Sequence, residues 1–139
     1  MTRKISHIGI AVKDLEQATK LFSRLLEIKE VPTEEVPDQK VKLAFFYLED
    51  SSLELTQATA PDSPIQRFIE KYGEGIHHLS IQVQDINAEI ARLKQQGFRL
   101  IDERPRIGAG GTLIAFIHPA STNGVLIEIC QEASKLQNP

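Results

Sequence analysis

Two histidines and two glutamates recur in this chain in a two-fold pattern, and their types suit metal-assisted proton chemistry. His7 opens His7-Ile8-Gly9-Ile10-Ala11-Val12-Lys13-Asp14-Leu15, and His78 opens His78-Leu79-Ser80-Ile81-Gln82-Val83-Gln84-Asp85-Ile86. Both stretches read His, four residues, Val, any residue, Asp, an aliphatic. Glu54 lies between large aliphatics in Leu53-Glu54-Leu55-Thr56-Gln57, and Glu128 does the same in Ile127-Glu128-Ile129-Cys130-Gln131. His7 and Glu54 are 47 positions apart and His78 and Glu128 are 50 apart, the near-equality expected if one module was duplicated. Taken singly, each residue has a structural explanation: a glutamate on a solvated strand face, a histidine with satisfied hydrogen bonds. Recurrence of all four together points instead to two half-sites.

Two imidazoles and two carboxylates are a mixed nitrogen and oxygen donor set suited to a divalent first-row ion, with positions left open for water or substrate. An ion held in this way polarises a carbonyl and stabilises the enolate formed when the adjacent carbon loses a proton. A carboxylate at its edge can move that proton.

The elements that must position these groups are strands. Side chains alternate along a strand, so Ile8, Ile10 and Val12 share one face and His7, Gly9 and Ala11 the other. Leu79, Ile81 and Val83 likewise oppose His78, Ser80 and Gln82. The branched face can pack under a helix, which leaves the histidine on a polar or small-residue face. Glu54 and Glu128 are turned the same way by their aliphatic neighbours.

After the strand Ile5–Val12, Asp14 caps a helix with Gln17 three residues on, and Leu15, Ala18, Leu21, Phe22, Leu25 and Leu26 form its apolar stripe, ending near Glu27. The proline-bearing segment 30–38 suits an extended edge or loop, and strands follow over Val41–Leu48 and Leu53–Gln57. A short helix capped by Asp62 or Ser63, ending at Gly73 and Gly75, links the halves. The second half repeats the order: the His78 strand, a helix from Asp85 to Gly97, a strand over Phe98–Glu103, a glycine loop over Ile107–Gly111, and strands over Thr112–His118 and Val125–Cys130. The expectation is an α+β fold of two tandem βαβββ modules, residues 5–57 and 76–131, joined by a linker over 58–75 and sharing one domain over 1–139. Residues from Gln131 on are expected to fray.

The 139 residues, 41% of them hydrophobic, suffice for a globular core without staples. One cysteine, Cys130, excludes an internal disulfide, and no stretch has the length of a membrane span or the layout of a signal peptide, so a cytoplasmic protein is expected. Sixteen basic and nineteen acidic residues give a formal charge of -3 with no long basic run, which argues against nucleic acid as a partner.

Residues 5–131 resemble the vicinal oxygen chelate superfamily, which includes glyoxalase I, extradiol dioxygenases and methylmalonyl-CoA epimerases, and within it they are most similar to the epimerases. The resemblance is carried by the first His motif together with Asp62-Ser63-Pro64-Ile65, Gly73-Glu74-Gly75-Ile76-His77-His78, Arg106-Ile107-Gly108-Ala109-Gly110-Gly111, His118-Pro119 and Gly124-Val125-Leu126-Ile127-Glu128. It implies a cupped mixed sheet around one divalent ion (Co, Mn, Ni, Zn or Mg), a homodimer and an acyl-CoA substrate. It implies His7, Glu54, His78 and Glu128 as metal ligands, and Glu128 as a proton-transfer residue. The implied reaction is epimerisation of methylmalonyl-CoA through C2. A second base that some relatives carry on the preceding strand has no counterpart here, since 41–48 contain no carboxylate, so either Glu54 or a water takes that part. A glyoxalase I type lyase is the alternative enzyme, and a metal-free sequestering protein the alternative of another class. The glycine loop is either a hairpin connection or a donor of backbone N–H groups to the substrate. His77 is expected to pack on the opposite face from His78, the role of His118 stays open, and Arg99, Arg104 and Arg106 are candidates to meet CoA phosphates.

Overall fold

The computed structural model describes residues 2–133, which divide into two compact units: residues 7–77, and the residues before His7 together with those from His78 onward. The first half contains β1 (Lys4–Ala11), α1 (Leu15–Leu26), β2 (Thr33–Val36), β3 (Val41–Tyr47) and β4 (Ser52–Ala58), followed by α2 (Pro64–Tyr72). The second contains β5 (Gly75–Gln82), α3 (Ile86–Gln95), β6 (Arg106–Ile107), β7 (Leu113–Ile117) and β8 (Ile127–Gln131). The βαβββ order is therefore present twice, as the sequence predicts.

The strand orders match as well. In the first half β2, β3 and β4 form an antiparallel run and β1 lies parallel to β4. In the second, β6, β7 and β8 run antiparallel and β5 lies parallel to β8.

Each half fastens its helix in the same way. Asp14 and Asp85 hold extended backbones, and their carboxylates accept from the N–H groups of Gln17 and Ala88 at 3.1 Å each. The next orphan donor is met from the last strand of the module: Leu15 N–H donates to Gln57 Oε1 at 2.6 Å, and Ile86 N–H to Gln131 Oε1 at 2.9 Å. The repeated glutamine thus ties the start of each helix to the strand that carries the glutamate. Gln57→Ala or Gln131→Ala is expected to lower stability by about 1 kcal/mol, read as a lower urea midpoint at unchanged slope.

The cores show which face each strand buries. Under α1, Val12, Leu15, Ala44, Phe46 and Leu55 pack together, with the Phe22 and Phe46 rings 6.1 Å apart. Under α3, Val83, Ile86, Ile90, Leu93, Ala115, Ile117 and Ile129 form the equivalent cluster. Leu55 and Ile129 face the helices, so alternation turns Glu54 and Glu128 to the opposite face.

One expected strand is absent. Over 98–103 only Leu100 bridges to Ile117, and the strand pairing with β7 is instead Arg106–Ile107. The cause is local: the Asp102 carboxylate accepts the Phe116 N–H at 2.8 Å, replacing a ladder carbonyl, and the N–H groups of Ile101 and Asp102 both converge on the Phe116 carbonyl. Pro105 then supplies no donor. The glycine loop correspondingly begins at Gly108. There a Cβ would lie 2.9 Å from the Ile114 side chain, and Gly110 and Gly111 adopt φ of 68° and 75°. At the C-terminus Gln131 still belongs to β8, and the expectation of fraying beyond 133 lies outside the described residues. Among the described residues no helix is long and apolar enough to cross a membrane.

Candidate metal centre

The duplication extends to strand register. Glu54 pairs with Gly9, two residues beyond His7, and Glu128 pairs with Ser80, two residues beyond His78. All four candidate ligands are buried: His7 and Glu54 are 8% exposed, His78 9% and Glu128 4%.

In the first half His7 Nδ1 lies 3.1 Å from Glu54 Oε2. Burial pushes the imidazole down to about 4, so at neutral pH it is uncharged, the form in which histidine ligates a metal. Two donors on one octahedral cation at the usual ligand distance stand about 3 Å apart, so this spacing fits shared ligation as well as a hydrogen bond. Phe45 faces Glu54 directly from β3 and stacks with Tyr47 at 6.0 Å, which gives this wall an aromatic lining.

In the second half the Ser80 hydroxyl donates to Glu128 Oε1 at 2.6 Å and lies 3.3 Å from Cys130 Sγ. Phe116 faces Glu128 from β7, and the His78 ring meets the Phe116 ring edge-on at 5.6 Å. Arg106, held by Asp102 at 3.3 Å, places its guanidinium 5.7 Å from the centre of the Phe116 ring. Burial pushes the Glu128 carboxyl up to about 7; the Ser80 hydrogen bond and the Arg106 charge pull it down, and the Asp102 charge raises it. A carboxyl near 7 is populated in both protonation states at neutral pH, which is what an acid or base needs to exchange protons.

His7, His78 and Glu128 each offer one ligand atom of a type that hard or borderline divalent ions accept, and Glu54 adds a carboxylate beside His7. The donor chemistry fits such an ion.

The other sequence candidates take structural places. His77, on the face opposite His78, meets Phe68 of α2 edge-on at 4.9 Å, and burial pushes its imidazole down to about 4. His118 Nδ1 accepts the Ala120 N–H at 3.0 Å and caps a short turn. Ser63, and not Asp62, caps α2, accepting the Ile65 N–H at 3.2 Å. Of the three arginines, Arg106 is the one placed beside Phe116 and Glu128. Sequence reasoning overlooked Ser80, Phe116 and Asp102; the alternation that places His78 also places Ser80 on its face, but the pairing partner becomes visible only with the register.

Residues 6–116 match the family described as the Glyoxalase/Bleomycin resistance protein/Dioxygenase superfamily. The chain is 37% identical over 133 residues to an ethylmalonyl-CoA/methylmalonyl-CoA epimerase of Cereibacter sphaeroides, covering 94% of this chain and 99% of that one. It is 35% identical over 129 residues to the human mitochondrial methylmalonyl-CoA epimerase, covering 92% of this chain and 73% of that one. A solved variant of Streptomyces coelicolor methylmalonyl-CoA epimerase, in complex with 2-nitronate-propionyl-CoA, superposes with a TM-score of 0.91 at 32% identity, covering 94% and 95% of the two chains.

Proposed function

Because the chain belongs to the methylmalonyl-CoA epimerase family of the glyoxalase/bleomycin resistance/dioxygenase superfamily, we propose that it interconverts (2R)- and (2S)-methylmalonyl-CoA by moving the C2 proton. The observation that carries this reading is the buried Glu128 carboxyl, which accepts the Ser80 hydroxyl on the same face as His78. In this reading the two modules act as one domain, and His7, Glu54, His78 and Glu128 hold one divalent ion of the series Co, Mn, Ni, Zn or Mg. Support comes from the neutral state of His7, the buried donors and the matched register of the two halves. When bound, the ion supplies Lewis acidity toward the thioester and carboxylate oxygens of the substrate.

The residues of the chain do the rest. Glu128 takes the C2 proton on one face of the acyl group, and Glu54 returns a proton on the other. Glu54 is the only carboxylate within β3 and β4. Phe45 and Phe116, each paired with one of the glutamates, place an apolar ring beside that carboxylate, which strengthens the electrostatic contacts of the reacting group. The reading extends to a cytoplasmic homodimer with an acyl-CoA as its small-molecule partner; the lone buried cysteine needs no oxidising compartment.

The test is proton NMR of methylmalonyl-CoA in heavy water with metal-loaded protein, run beside the hemithioacetal of methylglyoxal and glutathione. Metal-dependent loss of the C2 proton signal is expected for the CoA ester alone. Turnover of the hemithioacetal alone would assign the protein to the glyoxalase reaction.

A further inference from the structure

Although the two half-sites share their register, they differ at one position. The residue facing the glutamate is Gly9 in the first half and Ser80 in the second. Glycine brings no side chain to Glu54, whose Oε2 lies 3.1 Å from His7 Nδ1. Ser80 is fully buried and brings a hydroxyl whose proton is given to Glu128 Oε1 at 2.6 Å. The Ser80 oxygen also lies 3.3 Å from Cys130 Sγ, the next residue of β8 on that face, so the hydroxyl is held by two neighbouring side chains of one strand. A donor at 2.6 Å from a fully buried neighbour restricts the orientation of the Glu128 carboxylate.

We propose that Ser80 is a positioning residue that breaks the equivalence of the two half-sites: it fixes Glu128 as the oriented proton-transfer carboxylate, whereas Glu54, facing Gly9, is oriented by His7. The proposal rests on the metal and epimerase reading above and deepens it by assigning different duties to two glutamates that the sequence repeat makes look alike.

The test compares native protein with Ser80→Ala and Ser80→Cys, each loaded with Co(II). Cobalt dissociation constants are read by chelator competition, and steady-state kinetics are measured on methylmalonyl-CoA. Losing an outer-shell orienting group costs a metal site about 10- to 100-fold in affinity or rate. Ser80→Ala is expected to weaken cobalt binding by about 10-fold and to lower kcat by about 10- to 100-fold, with KM changed by less than about twofold. Ser80→Cys keeps a weak donor of similar volume and is expected to fall between the two. Circular dichroism identifies a misfolded alanine variant, in which case the cysteine variant carries the comparison. Native affinity and kcat in the variants, with native protein binding cobalt, overturn the role of Ser80 and leave the epimerase reading standing. Native protein that takes up no cobalt overturns the metal reading and the role of Ser80 together.

Discussion

Glu128→Gln is expected to slow exchange of the C2 proton by about 10³-fold, within the range contributed by a positioned acid or base, while leaving the fold intact. The amide can still accept the Ser80 hydroxyl through its oxygen, so the 2.6 Å contact has a replacement. What is lost is the exchangeable proton. The same substitution also separates chemistry from stability in the metal-free protein. Glu128 is pushed from 4.5 to about 7 by burial, so the folded state keeps a proton that the unfolded chain releases. Below about pH 4.5 both states are protonated and nothing is lost. As pH rises from there to about 7 the unfolded state is favoured progressively, by ~3 kcal/mol once both are ionised, at 1.36 kcal/mol per pKa unit. The variant lacks this penalty. Urea unfolding of the two metal-free proteins at pH 5 and pH 8 is therefore expected to show the glutamine form gaining relative stability at pH 8. An equal difference at both pH values would show that Glu128 carries no raised pKa, and native exchange in the variant would remove it from the mechanism.

The duplication was legible in sequence because it is written in local features. Asp14 and Asp85 announce helix starts by type and position, and both caps form. Alternation alone separates His78 from His77 and sends the latter to Phe68. Glu54 and Glu128 are placed by their aliphatic neighbours, whose burial under helices has a free-energy cost for any other orientation. What was not legible depends on pairing between distant segments. That Ser80 meets Glu128 follows from a parallel register joining residues 48 positions apart, which no local pattern encodes. The missing strand over 98–103 has a related cause: its β-forming residues are overridden by a single side chain, Asp102, which takes the Phe116 N–H. The role of His118, open in the sequence, is that of a cap, because one backbone donor, at Ala120, lies in reach.

His7→Ala combined with His78→Ala is expected to abolish metal retention and, with it, C2 exchange. Each imidazole is buried, so its removal leaves a small cavity rather than a solvated replacement ligand. Metal content of the purified double variant by mass spectrometry is expected to fall to background, and native content would show that the ligands lie elsewhere. Acidity distinguishes the ligands further. His7, pushed down to about 4 by burial, stays neutral throughout the range from pH 5 to 8, so it does not limit binding there. Glu128, pushed up to about 7, must release its proton before it can ligate. Metal affinity of the native protein is therefore expected to rise as pH increases from 5 to about 7, and the rise should be shallower in Glu128→Gln, which lacks this proton. The histidine makes the opposite contribution to the stability of the metal-free fold. Its folded-state value lies below the 6.5 of the unfolded chain, so the stability it contributes is complete above about 6.5 and is lost as pH falls toward 4. His7→Ala should remove that acid sensitivity even as it removes a ligand. An acid-unfolding profile identical to that of the native protein would show that His7 is not held neutral by burial, and with it would go the reason for regarding this imidazole as preorganised for a metal.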